Sequence, residues 1–271
     1  MTKAPTTKKV EDKPEARKIA TAIVKPAEKI ITSKTGIMII PGVKTMTLTT
    51  LIVGTAPMIA HQFDQKVIGS IRDKHMGKAS EGREAKDPEA NFEAARYRLS
   101  DGSDGVPAGG IKAAITNGFP KGSGVTQKSA KGLRVIADDP RINLVRIIGP
   151  RLSAEQMKLP VDAPGQWPRM REDVVRNQTG VVDIRHRPEY WPWAMAISVQ
   201  YLPSMISANQ LLQGIAMAGH IDGLCEWRPG SKESKSGTYG TWRLATAEEV
   251  ELFEKGLLFG GVQQALREAA E

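Results

Sequence analysis

From Trp193 to Tyr201 the chain alternates without a break. Trp193, Met195, Ile197, Val199 and Tyr201 fall on one face, and Ala194, Ala196, Ser198 and Gln200 on the other. A period of two predicts a strand. The contrast between its faces predicts a sheet covered by helices on one side and open to a ligand on the other. After Pro203 the period changes. Ser207 with Gln210 forms a capping box, and Leu211, Leu212 and Ile215 give the stripe of a helix reaching about His220. Gly223 to Trp227 reads as another edge, and Tyr239–Leu244 as a last strand. Thr246 with Glu249 is a second capping box, opening a C-terminal helix that Gly260-Gly261 interrupts.

Upstream, Thr45 to Val53 is β-branched and stops at Gly54-Thr55-Ala56-Pro57. Phe63, Val67, Ile68 and Ile71 fall at helical spacing, so Asp64–His75 is expected to be a helix. Asp87-Pro88-Glu89 starts another, reaching about Tyr97, and a turn-rich Asp101–Gly110 enters a third over Ala108–Gly118. Short strands are expected at Arg134–Ala137 and Ile142–Ile148. The polar, glycine- or proline-rich stretches at about 76–86, 119–133, 150–180 and 230–238 read as large loop insertions. The fold class expected is α+β: an antiparallel sheet with helices mainly on one face. Residues 36–245 would form the core, 1–35 a flexible basic arm and 246–271 a C-terminal helical segment.

Composition bounds the function. At 271 residues, 40% hydrophobic and 25% charged, the chain can bury a full core. No apolar run approaches the roughly 18 residues of a membrane helix, and the lysine-rich start lacks a signal core. The lone Cys225 excludes an intramolecular disulfide and a cysteine-based zinc site. A cytoplasmic protein with no membrane partner is expected. The net charge is +8, but residues 1–35 hold nine Lys or Arg against four acids, which leaves +3 for the rest. The arm is either a solubilising tail or a polyanion-binding one, and binding by the body requires a local patch.

Candidate patches exist. Arg169, Arg171, Arg176, Arg185 and Arg187, with His186, make 169–187 the densest cationic segment of the body. A guanidinium grips phosphates in pairs and stacks on bases, although the same residues could brace a loop through ion pairs. Lys121, Lys128 and Lys131 form a second group, and Tyr190 is the stacking candidate beside the arginines. Cations for the backbone with rings for the bases suit a single-stranded nucleic acid. Trp193 belongs in the core instead. Enzyme signatures are weak. The glycines of 101–110 match no phosphate-cradle spacing, and His61, His75, His186 and His220 show no metal-binding pair. Asp183 with His186 is the one acid–base cluster. No cofactor is expected.

Several segments resemble the RAMP superfamily, the RNA-binding backbone subunits of CRISPR effector complexes. They are Leu48–Met58, Val106-Pro107-Ala108-Gly109-Gly110-Ile111-Lys112, and Gly223–Pro229 followed by Gly237–Trp242. The stretch Asp183–Trp242 is also similar to uncharacterised bacteriophage proteins of this length. The resemblance implies a ferredoxin- or RRM-like core binding single-stranded nucleic acid along an oligomer or filament of like subunits. It places Lys112 and Arg228 near that ligand. Gly110 and Ala113 depart from the family pattern, and the loop aspartate with which some relatives cut RNA has no match. The reading is therefore a non-enzymatic single-stranded nucleic-acid-binding protein. The alternatives are a virion or assembly protein, and a nuclease using Asp183 and His186.

Overall fold

The computed structural model describes residues 31–32, 38–39, 43–63, 65–78, 86–176, 180–231 and 237–260. The arm over 1–30, Asp64, most of the predicted 76–86 and 230–238 insertions, and the tail beyond 260 lie outside the described residues. The chain divides into two units, Met1–Val43 and Lys44–Glu271. In the first, β1 (Ile31–Thr32) pairs antiparallel with β2 (Met38–Ile39).

The second unit opens with β3 (Met46–Gly54), β4 (Met58–Ile59), α1 (Gln65–His75) and α2 (Pro88–Ala94). Next come β5 (Gly105–Pro107), α3 (Ala108–Gly118), α4 (Gln127–Ala130) and β6 (Arg134–Ile136). β7 (Leu144–Arg146), β8 (Arg169–Arg176), β9 (Val182–Tyr190) and β10 (Ala194–Tyr201) follow. α5 (Ala208–Ile221), β11 (Trp242–Leu244) and α6 (Ala247–Glu254) complete it.

The fold is α+β. The main sheet has the order β11-β3-β10-β6, and every neighbouring pair is antiparallel. Taken in chain order, β3-α3-β6-β10-α5-β11 is a split βαβ arrangement carrying inserted elements. Ile52, Met195, Ile197, Val199 and Trp242 form the buried face beneath α3 and α5. These helices approach closely because small residues meet at the contact. A Cβ on Gly118 would lie 2.7 Å from the Ala218 backbone, and one on Gly214 2.6 Å from the Phe119 ring. Trp193 is fully buried, and its indole N–H donates to the Ala56 carbonyl at 2.8 Å. Each such large apolar side chain contributes about 1.5–3 kcal/mol. Both capping boxes form as the sequence predicts. No helix among the described residues is long and apolar enough to cross a membrane.

Four local expectations are corrected. The opposite sheet face is not wholly open, because Ala245, Val250, Phe253 and Phe259 pack over Leu51, Val53 and Ala194. Segment 119–133 is not a bare loop: α4, capped by Thr126, buries Ala130 beside Phe119, Val125 and Leu133. Those apolar residues have no regular period, so pattern alone misses them. The chain at 223–227 is not a strand. Gly223, Cys225 and Trp227 have φ of 68°, 64° and 53°, and left-handed residues cannot continue a ladder. Finally, the irregular 150–180 connection contains β8, which forms a hairpin with β9 from Arg169 opposite Glu189 to Arg176 opposite Val182. β4 pairs with the end of β9 at Tyr190 and Glu189, so β4, β9 and β8 form a separate three-stranded sheet, with α2 against β9.

Candidate nucleic-acid interface

Strand alternation puts Arg169, Arg171 and Asp173 of β8 on one face with Glu189, Arg187 and Arg185 of β9. Opposite charges meet there and largely satisfy one another. Arg187 is fully buried: it donates to Asp173 at 2.8 Å and to Glu226, and its guanidinium lies 4.4 Å from the centre of the Trp227 ring. Arg171 donates to Asp173 at 2.8 Å and Glu189 at 2.7 Å, and sits 5.1 Å from the Tyr239 ring. Burial disfavours the Arg171 charge, but the hydrogen bonds to Asp173 and Glu189 outweigh it and raise its pKa. Arg169 pairs with Glu189 at 3.5 Å.

This assignment corrects part of the sequence reading. Arg187 is an internal brace, since its side chain is fully buried, and Arg171 spends its Nε and one Nη on Asp173 and Glu189. His186 is buried, with Nε2 3.0 Å from Glu172 and Nδ1 lacking a partner. Tyr190 cannot stack on a base: it is in the core, its hydroxyl donates to Asp104 at 3.0 Å, and Trp167 meets it edge-on. Asp183 is engaged by Lys86 and His186 by Glu172, so the two do not form an acid–base pair. Arg185 keeps a half-buried side chain with no hydrogen bond among the described residues, and Arg176 is exposed near the hairpin tip.

The lysines fall elsewhere. Lys121, Lys128 and Lys131 are exposed on the segment that packs on α3 and α5, and Lys112 is half-buried on α3. β8 and β9 pack chiefly on each other, on α2 and on β4. The lysines and the arginines therefore sit on elements with different packing partners.

Two adjoining clefts carry the remaining chemistry. The first, about 280 Å³, lies between α3 and the 222–228 loop. Its walls include Pro107, Gly110, Ala113 and Ala114 on one side, with Leu224, Cys225 and Arg228 on the other. The second, about 420 Å³, lies between α2 and β9, with Phe63, Lys86, Arg185 and His186 among its lining. His61 and Glu226 line both. His61 Nδ1 is 3.1 Å from one Glu226 oxygen, while Arg187 takes the other. Burial raises the Glu226 pKa, but the His61 hydrogen bond and the Arg187 charge outweigh it and hold the carboxyl below its ordinary range. Burial pushes the Cys225 thiol up to about 12, which disfavours its thiolate form.

Sequence reasoning missed Phe63. It falls at the spacing of a helical stripe, yet α1 begins after it and the residue is 69% exposed. The ring lies 11° from parallel to His61, with centroids 6.4 Å apart. Glu226 and Lys86 were missed as well, for they acquire meaning only from partners distant in the chain. No protein-family model matches the chain, and no curated protein matches it.

Proposed function

We propose that the protein binds single-stranded nucleic acid without catalysing a reaction on it. One observation carries this reading: an exposed aromatic residue, Phe63, stands in a cleft that also holds Arg185, a cation with no hydrogen bond among the described residues. A ring for a base beside cations for the backbone is the combination that single strands require. Arg176, Lys112, Lys121, Lys128 and Lys131 would add longer-range attraction for a polyanion, as would the net charge of +8. The split βαβ topology is compatible with the RRM-like and RAMP-like part of the reading. Assembly of like subunits along the strand belongs to the same proposal.

The test is fluorescence anisotropy of the full-length protein with labelled single strands of RNA and DNA, and with duplex, across a salt series. Log affinity for single strands is expected to fall with log salt at about −0.7 per phosphate contacted. Phe63→Ala removes a surface ring and should weaken single-strand binding by about 1–3 kcal/mol, with thermal stability nearly unchanged. Equal affinity for duplex and single strand, or an unaffected Phe63→Ala protein, would reject this use of the cleft.

A further inference from the structure

β8 is an edge strand. Among the described residues its one neighbour in the three-stranded sheet is β9, and its other side carries backbone groups that no strand meets. Two hydrogen bonds fix which groups those are. Met170 N–H donates away from β9, to the Val161 carbonyl at 2.7 Å, while Pro188 opposite it accepts from Ala60 N–H at 3.2 Å on the far side of β9. Met170 and Pro188 are therefore a non-hydrogen-bonded pair. The period of two then turns the N–H and C=O groups of Glu172, Val174 and Arg176 outward as well. Val161 covers the edge only at Met170, so the open run is Glu172–Arg176. The same three residues share one face of the hairpin with Ile184 and Val182. Val174 is 69% exposed, Val182 53% and Ile184 42%, so an apolar strip lies bare beside an unpaired edge. Soluble proteins avoid that combination unless something pairs with it.

We propose that β8 pairs antiparallel with β8 of a second copy of this chain, about a two-fold axis at Val174. The charges select both the partner and the register. An acid stands two residues before Val174 and a base two residues after it, so the axis sets Glu172 of each copy opposite Arg176 of the other. Both are exposed. Arg176 has no hydrogen bond among the described residues, and Glu172 uses one oxygen on His186 at 3.0 Å. An axis at Glu172 would oppose two acids, and one at Arg176 two bases. An axis at Asp173 or Val175 fails because their backbone groups face β9. With the axis at Val174, every outward backbone group of the open run finds a partner. Val174 and Ile184 of the two copies make one apolar strip, and the two β4-β9-β8 sheets become continuous. Such an isologous contact closes at two copies and needs no nucleic acid, whereas assembly along a strand takes a head-to-tail contact. A contact this small belongs to the transient class, with a Kd of about 10⁻⁵ M.

The test is sedimentation velocity of the full-length protein, stripped of nucleic acid, from about 1 to about 300 µM. A concentration-dependent shift from monomer to dimer is expected, with nothing larger. Glu172→Arg and Arg176→Glu each oppose like charges twice across the axis, and each should weaken self-association by about tenfold. Both positions are exposed, so thermal stability should change little. Mixed in equal amounts, the two variants restore opposite charges at both positions, and the mixture should recover to within about threefold of the unmodified protein. A protein that stays monomeric at about 300 µM overturns the pairing. So does a dimer indifferent to both substitutions, or a mixture no more associated than either variant alone. Growth beyond two copies overturns it too, because a closed two-fold contact cannot propagate. No nucleic acid enters the measurement, so any of these failures leaves the single-strand reading to its own test.

Discussion

On the β8–β9 hairpin, Arg171 and Arg187 lie among Asp173, Glu189 and Glu226, against the rings of Trp227 and Tyr239. On the 119–133 segment, Lys121, Lys128 and Lys131 stand exposed above a floor of Phe119, Val125, Ala130 and Leu133. In sequence both stretches are clusters of positive charge. In space the first is an internal brace and the second a solvated face. The difference follows from the side chains. A planar guanidinium has five donors and weak hydration, so it can be buried between carboxylates and stacked on a ring. An ammonium is strongly hydrated and keeps its head in water while its stem covers apolar surface. A count of cations therefore overstates the ligand-facing charge of the hairpin.

The largest expected effect breaks the brace. Arg187→Ala would leave Asp173 with Arg171 and Glu226 with His61 as their remaining partners, and should cost about 3 kcal/mol in denaturant unfolding, the low end for breaking a buried pair. A loss below 1 kcal/mol would mean that the network does not hold the hairpin. The exposed cations should behave oppositely. A triple Lys121→Ala, Lys128→Ala, Lys131→Ala protein is expected to keep its stability within about 0.5 kcal/mol. If these lysines touch phosphates, the salt slope of single-strand binding becomes shallower by up to about 0.7 per contact, and Arg185→Ala adds a comparable change. An unchanged slope in the triple protein would place the binding on the hairpin side alone.

The smallest effect concerns the C-terminal cover. Arg243 donates to both Glu249 oxygens at 2.7 Å, and these bonds hold the Glu249 carboxyl down to about 2, from an ordinary 4.5. A depressed carboxyl contributes stability that is complete above the unfolded value and is lost as pH falls through the folded one. Glu249→Gln keeps an oxygen for the Thr246 cap, and should lower stability at pH 7 by at most about 1 kcal/mol, as exposed pairs do. The gap between the two proteins should close between pH 4.5 and 2 in paired denaturant titrations. A gap that stays constant over that range would show that the ion pair is not its source.

Much of the fold was legible because it is written in local rules. The alternation of Trp193–Tyr201 fixed one strand and its buried face. Ser207 with Gln210, Thr246 with Glu249, and Asp87-Pro88 marked three helix starts within a residue of where they lie. The site was less legible. Arg185, Arg228 and Lys112 kept their availability, but Tyr190 went to the core, and Arg187 and His186 became partners of acids on other elements. Phe63 falls at the spacing of the helical stripe that follows it, yet it is exposed.

What the sequence determined alone was the Trp193–Tyr201 strand, the three capped helix starts, the α+β class and the basic balance, since periodicity, capping and composition act over a few residues. The tertiary structure alone decided which cations remain available. Arg187 meets Asp173 and Glu226 across 14 and 39 residues of chain, and His61 meets Glu226 across 165. No local pattern encodes such meetings. They arise where the hairpin, the strand exit at His61 and the left-handed 223–227 loop come together, and there burial forces each charge to find a partner.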